Sequence, residues 1–333
     1  MTRIISLAAA IAVCLSSYGI SLRPSSTYVR KPVKVGNVTG VVTNTFIDIE
    51  YTQASAQKVE IYGPDNIVEH VKITYSGGTL GVSFKESSVS ISGKMTLKVI
   101  VAAPAVTSFK TGSSGDIDIV SDINSSDNIT FQTASSGDIK AKAVKCAELS
   151  ASTRSSGDIS FDNLRCTSFN ANISSSGDIE TGNITASRNV RLKTMSSGDI
   201  ETRAIITSAL EASSASSGDI KVPSANCSAI SATTSSSGDI EIRGIAASTV
   251  SARSGSSGDI TLAGDCTAAS LTASSSGSVQ AKNLKAETVT AICTSSVSSI
   301  SCYAIERIDA KGPSRNKISI SGNPRQTNLS TNR

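Results

Sequence analysis

A Ser-Gly-Asp-Ile motif returns along this chain at an almost constant interval, and that interval leaves few folds open. Its glycines are Gly115, Gly137, Gly157, Gly177, Gly198, Gly218, Gly238 and Gly258, with a worn copy at Gly277, so the steps are 22, 20, 20, 21, 20, 20, 20 and 19 residues. Such a period marks a solenoid, in which each repeat is one coil that buries its apolar face only by stacking on the next. Disorder is the competing reading of a Ser-rich chain. It fails because the apolar residues hold fixed places in every repeat. With 4% aromatics and no Trp, the core must be narrow and filled by aliphatic and small side chains.

Within one coil, two segments alternate apolar and polar residues, the pattern of strands that bury one face. The first carries the column Ile117, Ile139, Ile159, Ile179, Ile200, Ile220, Ile240 and Ile260. The second carries Ile129, Leu149, Phe169, Val190, Leu210, Ile230 and Val250. Stacking in register sets each residue about 4.8 Å from its counterpart. The predicted fold is therefore all-β: a parallel β-helix solenoid with two short strands per coil, right-handed by analogy with parallel crossovers. The outward column Lys140, Ser160, Glu180, Glu201, Lys221, Glu241 and Thr261 mixes signs, as a solvated face does.

The chain opens with Met1-Thr2-Arg3 and a short apolar run, which reads as a secretory leader over residues 1–19. Ile11-Ala12-Val13-Cys14 also partly matches a lipidation signal, so Cys14 is a candidate lipid anchor. No later stretch is long and apolar enough for a membrane-spanning helix. The net charge of +4 is interspersed, giving no case for a nucleic-acid partner.

Residues 29–111 lack the repeat but read as strands, with a hairpin turn at Gly77-Gly78, and are expected to cap the repetitive region 112–303. A C-terminal cap and basic tail are expected over 304–333, with Asn316–Ile320 as the last strand. Phe46-Ile-Asp-Ile-Glu50, Asn66-Ile-Val-Glu-His70, Gly78-Thr-Leu-Gly-Val-Ser-Phe84, Val101–Phe109 leading into Ser114-Gly-Asp-Ile117, and Gly322-Asn-Pro324 carry a resemblance. In these the chain resembles the auto-transporter adhesin head, or GIN, domain family of exported bacterial proteins. The resemblance implies a β-helical, surface-associated protein and brings no catalytic residues.

Stacking lines up Asp116, Asp138, Asp158, Asp178, Asp199, Asp219, Asp239 and Asp259 along one edge. Neighbouring carboxylates about 4.8 Å apart repel by about 0.9 kcal/mol in water and about 3.5 kcal/mol at an effective dielectric of about 20. Hydrogen bonds from Ser hydroxyls and turn N–H groups, with Gly left-handed, are the expected offset. Bridging Ca²⁺ is the alternative, which one Asp per coil supplies only marginally. Cys146 and Cys166 share a position on adjacent coils, within reach of a disulfide, although a column of small buried thiols reads better. A single histidine leaves no triad or histidine-rich metal site, and no second carboxylate column faces the aspartates. The expectation is thus a protein without enzymatic activity or cofactor, binding a glycan or protein ligand at the cell surface. A scaffold of the periplasm or envelope is the alternative.

Overall fold

The computed structural model describes residues 19–314 and 317–331. Cys14 and the expected leader up to residue 18 lie outside the described residues. Strands pair in parallel from coil to coil in the predicted register. Ile117 faces Ile139, then Ile159, Ile179, Ile200, Ile220, Ile240 and Ile260 in turn. All eight are buried, and each such burial stabilises by roughly 1.5–3 kcal/mol. The molecule is a parallel β-solenoid.

Two short strands per coil was too simple. From Ile159 onward most coils run as one bent strand, as in Ile159–Ile173 and Ile179–Thr194. The cause is a third inward column at the corner, Val144, Leu164, Ile184, Ile205 and Ile245, which holds the chain against the core where alternation breaks. Rings fill the core at its N-terminal end. Tyr51, Phe109, Phe131 and Phe161 follow one another with centroids 5.2, 5.1 and 4.9 Å apart. Further along, the place of Phe131 is taken by Ala212, Ala232 and Ala252, so the core narrows.

The coil stack extends into the region without the repeat. Gly40–Thr43 and Asp48–Gln53 form a layer directly beneath Ser108–Thr111 and Ile117–Ile119. Thr79–Phe84 and Lys98–Ala103 form the layer beneath that one, although they come later in sequence. The outermost strands, Tyr28–Pro32 and Val71–Ser76, pair antiparallel with Lys58–Pro64 and Thr79–Phe84 respectively, and Gly77 and Gly78 turn the predicted hairpin at φ +55° and +81°. The helical turn Asp65–Val68 links the inner strand Lys58–Pro64 to the edge strand Val71–Ser76 and buries Ile67 and Val68. At the other end, the strand Ser299–Gly312 carries residues assigned to the tail into the coil stack. Two strands follow it, Ile318–Ser321 and Gln326–Thr331, where sequence predicted one.

Candidate functional site

Each ladder aspartate is held by the backbone of the next coil. The N–H of Asp138 donates to Oδ1 of Asp116 at 2.8 Å, and the N–H of Asp158 to Asp138 at 3.0 Å. Asp178, Asp199, Asp219, Asp239 and Asp259 continue the series at 2.7–2.9 Å. The donors are turn N–H groups, as expected, but they belong to the following coil, and a Ser hydroxyl joins them only at the last rung. The ladder also starts earlier, at Asp48, which accepts from Asp116 at 3.0 Å. It ends on Ser278, whose N–H and hydroxyl both donate to Asp259. The surviving Asp-Ile pair at Asp48-Ile49 was the signal for the missed rung, hidden because Ile47 stands where the motif has glycine.

Nor are the motif glycines left-handed: none from Gly115 to Gly258 has a positive φ. They are required because a Cβ at Gly137, Gly157 or Gly177 would fall inside van der Waals contact with the carbonyl oxygen of the motif glycine one coil earlier. Buried hydroxyls cross-link the same turns. Thr111, Thr133 and Thr153 donate to the carbonyls of Gly137, Gly157 and Gly177 in the next coil, at 2.9, 2.8 and 3.1 Å.

Burial first, and then the carboxylates of Asp158, Asp199 and Glu201, push the Asp178 carboxyl above its ordinary value, against the pull of the Asp199 N–H. Burial likewise raises Asp48. Among the described residues no three or more His, Cys, Asp or Glu side chains converge as metal ligands. Cys146 and Cys166 are free thiols, as are Cys227, Cys266 and Cys302, and all five are buried. Burial pushes Cys146 up to about 12 and Cys166 up to about 11, which keeps both protonated and unreactive at neutral pH. His70 pairs with Glu86 at 2.8 Å in the N-terminal region.

The most distinctive surface lies on a different face from the column of Lys140 and Glu180. A trough of about 560 Å³ runs along the solenoid, floored by small residues that stack in register: Ala209, Ala229, Thr249, Ala268 and Thr288. Beside them the ladder Ser231, Ser251, Ser270 and Thr290 presents a hydroxyl on every coil. An ion pair closes each end: Arg191 with Glu211 at 3.0 Å, and Arg307 with Asp309 at 2.8 Å. Five ladder steps, about 24 Å at strand spacing, separate Glu211 from Asp309, and no charge stands on that ladder between them. Such a floor can donate and accept hydrogen bonds along an extended polar chain without having to desolvate an ion. Sequence alternation marked these positions only as outward and polar, so their continuity was not legible.

Comparison with solved structures finds a match of TM-score 0.53 and 25% identity, covering 72% of this chain and 99% of the other, with a putative adhesin from Bacteroides fragilis. A putative lipid binding protein from Parabacteroides distasonis matches at TM-score 0.51 and 15% identity, covering 94% and 100%. No curated protein matches the chain. The family model described as "Putative auto-transporter adhesin, head GIN domain" matches residues 37–226 and 207–324. The chain belongs to that adhesin head, or GIN, domain family.

Proposed function

We propose that this protein is an exported, non-enzymatic binding module displayed at the bacterial cell surface, and that the hydroxyl-lined trough is its contact face. The observation that carries the reading is the charge-free floor between the Arg191–Glu211 and Arg307–Asp309 pairs, repeated coil by coil. Identical donors and acceptors at one spacing suit a repetitive ligand, because many weak contacts at high effective concentration add up to avidity. A glycan chain is the ligand class with that character. Family membership and the likeness to an adhesin support a binding role.

Binding to immobilised polysaccharides and matrix proteins tests the reading. Wild-type protein is expected to be retained by a polysaccharide. The Ser251→Lys, Ser270→Lys double variant should weaken that binding tenfold or more, about 1.4 kcal/mol. Both side chains are exposed, so the melting midpoint should fall by no more than the repulsion of two neighbouring ammonium groups in water, about 0.9 kcal/mol, allows. Retention of the variant equal to wild type would remove the trough from the account, and preference for a matrix protein would replace the ligand class.

A further inference from the structure

The two ends of the solenoid are built differently. At the N-terminal end the helical turn Asp65–Val68 buries Ile67 and Val68. The edge strands there also resist pairing: Tyr28–Pro32 carries Arg30, Lys31 and Pro32, and Val71–Ser76 carries Lys72. Charge and proline are common devices against strand addition.

On the last coil no helical turn follows the strands among the described residues, and its prolines and charges, Pro313, Lys317, Pro324 and Arg325, flank the strands instead of sitting in them. Ile318–Ser321 and Gln326–Thr331 pair with Ser299–Gly312 on one side, and among the described residues no strand pairs with the other. Neither strand contains a charge or a proline. Leu329 continues the buried Ala310 column yet is 53% exposed, and all six residues of its strand are exposed. Ile318, Ile320 and Leu329 line an open cavity of about 130 Å³ at this end. The nearby Arg325 pairs with Glu306 at 3.3 Å, which offsets its charge beside the edge.

We propose that this end is an interface between two copies of the chain, in which Gln326–Thr331 pairs antiparallel with itself across a two-fold axis. A two-fold contact brings two edges of the same charge together, and a charge at the centre of the strand faces its own copy. The uncharged C-terminal edge escapes that repulsion and the Arg30-Lys31 edge does not. Pairing satisfies the open backbone groups and brings Ile318, Ile320 and Leu329 of both copies over one continuous core. The doubled rod then carries its capped ends, and one trough per copy, pointing away from the joint.

Sedimentation of the purified chain over a broad concentration range, with cross-linking, tests this. Wild-type protein is expected to dimerise, and Leu329→Lys to raise the dissociation constant more than about tenfold, with equal melting midpoints at concentrations low enough to hold both proteins as monomers. Under a mild oxidant, Asn328→Cys should give covalent dimers and Thr74→Cys, at the opposite end, should not. A wild-type monomer at every concentration, or a Leu329→Lys dimer as tight as wild type, would overturn the proposal. So would cross-linking through position 74 rather than 328.

Discussion

At the scale of single residues, the repeat motif divides its work among four atoms. Isoleucine fills the core, Asp Oδ1 receives the next coil's N–H, the glycine lets two backbones approach, and the motif's carbonyl accepts a buried threonine hydroxyl. Gly177→Ala should therefore destabilise by about 3 kcal/mol, read by chemical denaturation, because its Cβ would meet only the backbone of Gly157 and Ser155 in the preceding coil and nothing flexible to displace. A loss below about 0.5 kcal/mol, as at an ordinary surface site, would show that the approach is not close. The aspartates make stability depend on pH in a defined direction. Asp48 and Asp178 are raised above their ordinary value of 3.8, so their protonated forms are favoured in the folded state. The stability they contribute is complete below that value and is lost as pH rises through the raised one. Glu86, held below its ordinary 4.5 chiefly by the hydrogen bond from His70, acts oppositely, and its contribution is lost as pH falls through its lowered value. The melting midpoint should thus rise on mild acidification and fall in strong acid. Asp178→Asn should flatten the rise, since an amide oxygen still accepts the Asp199 N–H without the charge. A rise as steep in that variant as in wild type would place the titrating group elsewhere.

At the scale of the element, the inward columns were legible because a constant period ties each isoleucine to one depth in the stack. Ile200→Ala, in the middle of the column, should cost about 3 kcal/mol of unfolding free energy. A cost under about 1 kcal/mol would mean that the coils above and below collapse into the gap. Other parts of the fold were hidden for physical reasons. The layers at Gly40–Gln53 and Thr79–Ala103 have the same stacking as the repeat, but the excursion between them removes the interval by which coils are recognised. The corner column at Leu164 and Ile184 reads as a turn because polar residues flank it without alternation. For the motif glycines the spacing was right and the reason wrong. A sequence shows that a position excludes a side chain, but not whether torsion or a neighbouring backbone excludes it.

At the scale of the whole molecule, stacking turns one coil's local pattern into long faces. A serine on a single strand is ordinary surface. Four hydroxyls in register, between two ion pairs, form a surface that a chain-like ligand can follow. The aspartate ladder behaves differently, because Oδ1 of each carboxylate accepts the next coil's N–H and so ties neighbouring coils together. Binding is thus assigned to the face that the fold leaves unsatisfied. Antibody labelling of intact against permeabilised cells tests that assignment most directly, since a trough can meet an external ligand only if it is displayed. Labelling of intact cells is expected to be close to that of permeabilised ones. Labelling only after permeabilisation would place the rod inside the envelope and contradict a surface-binding role.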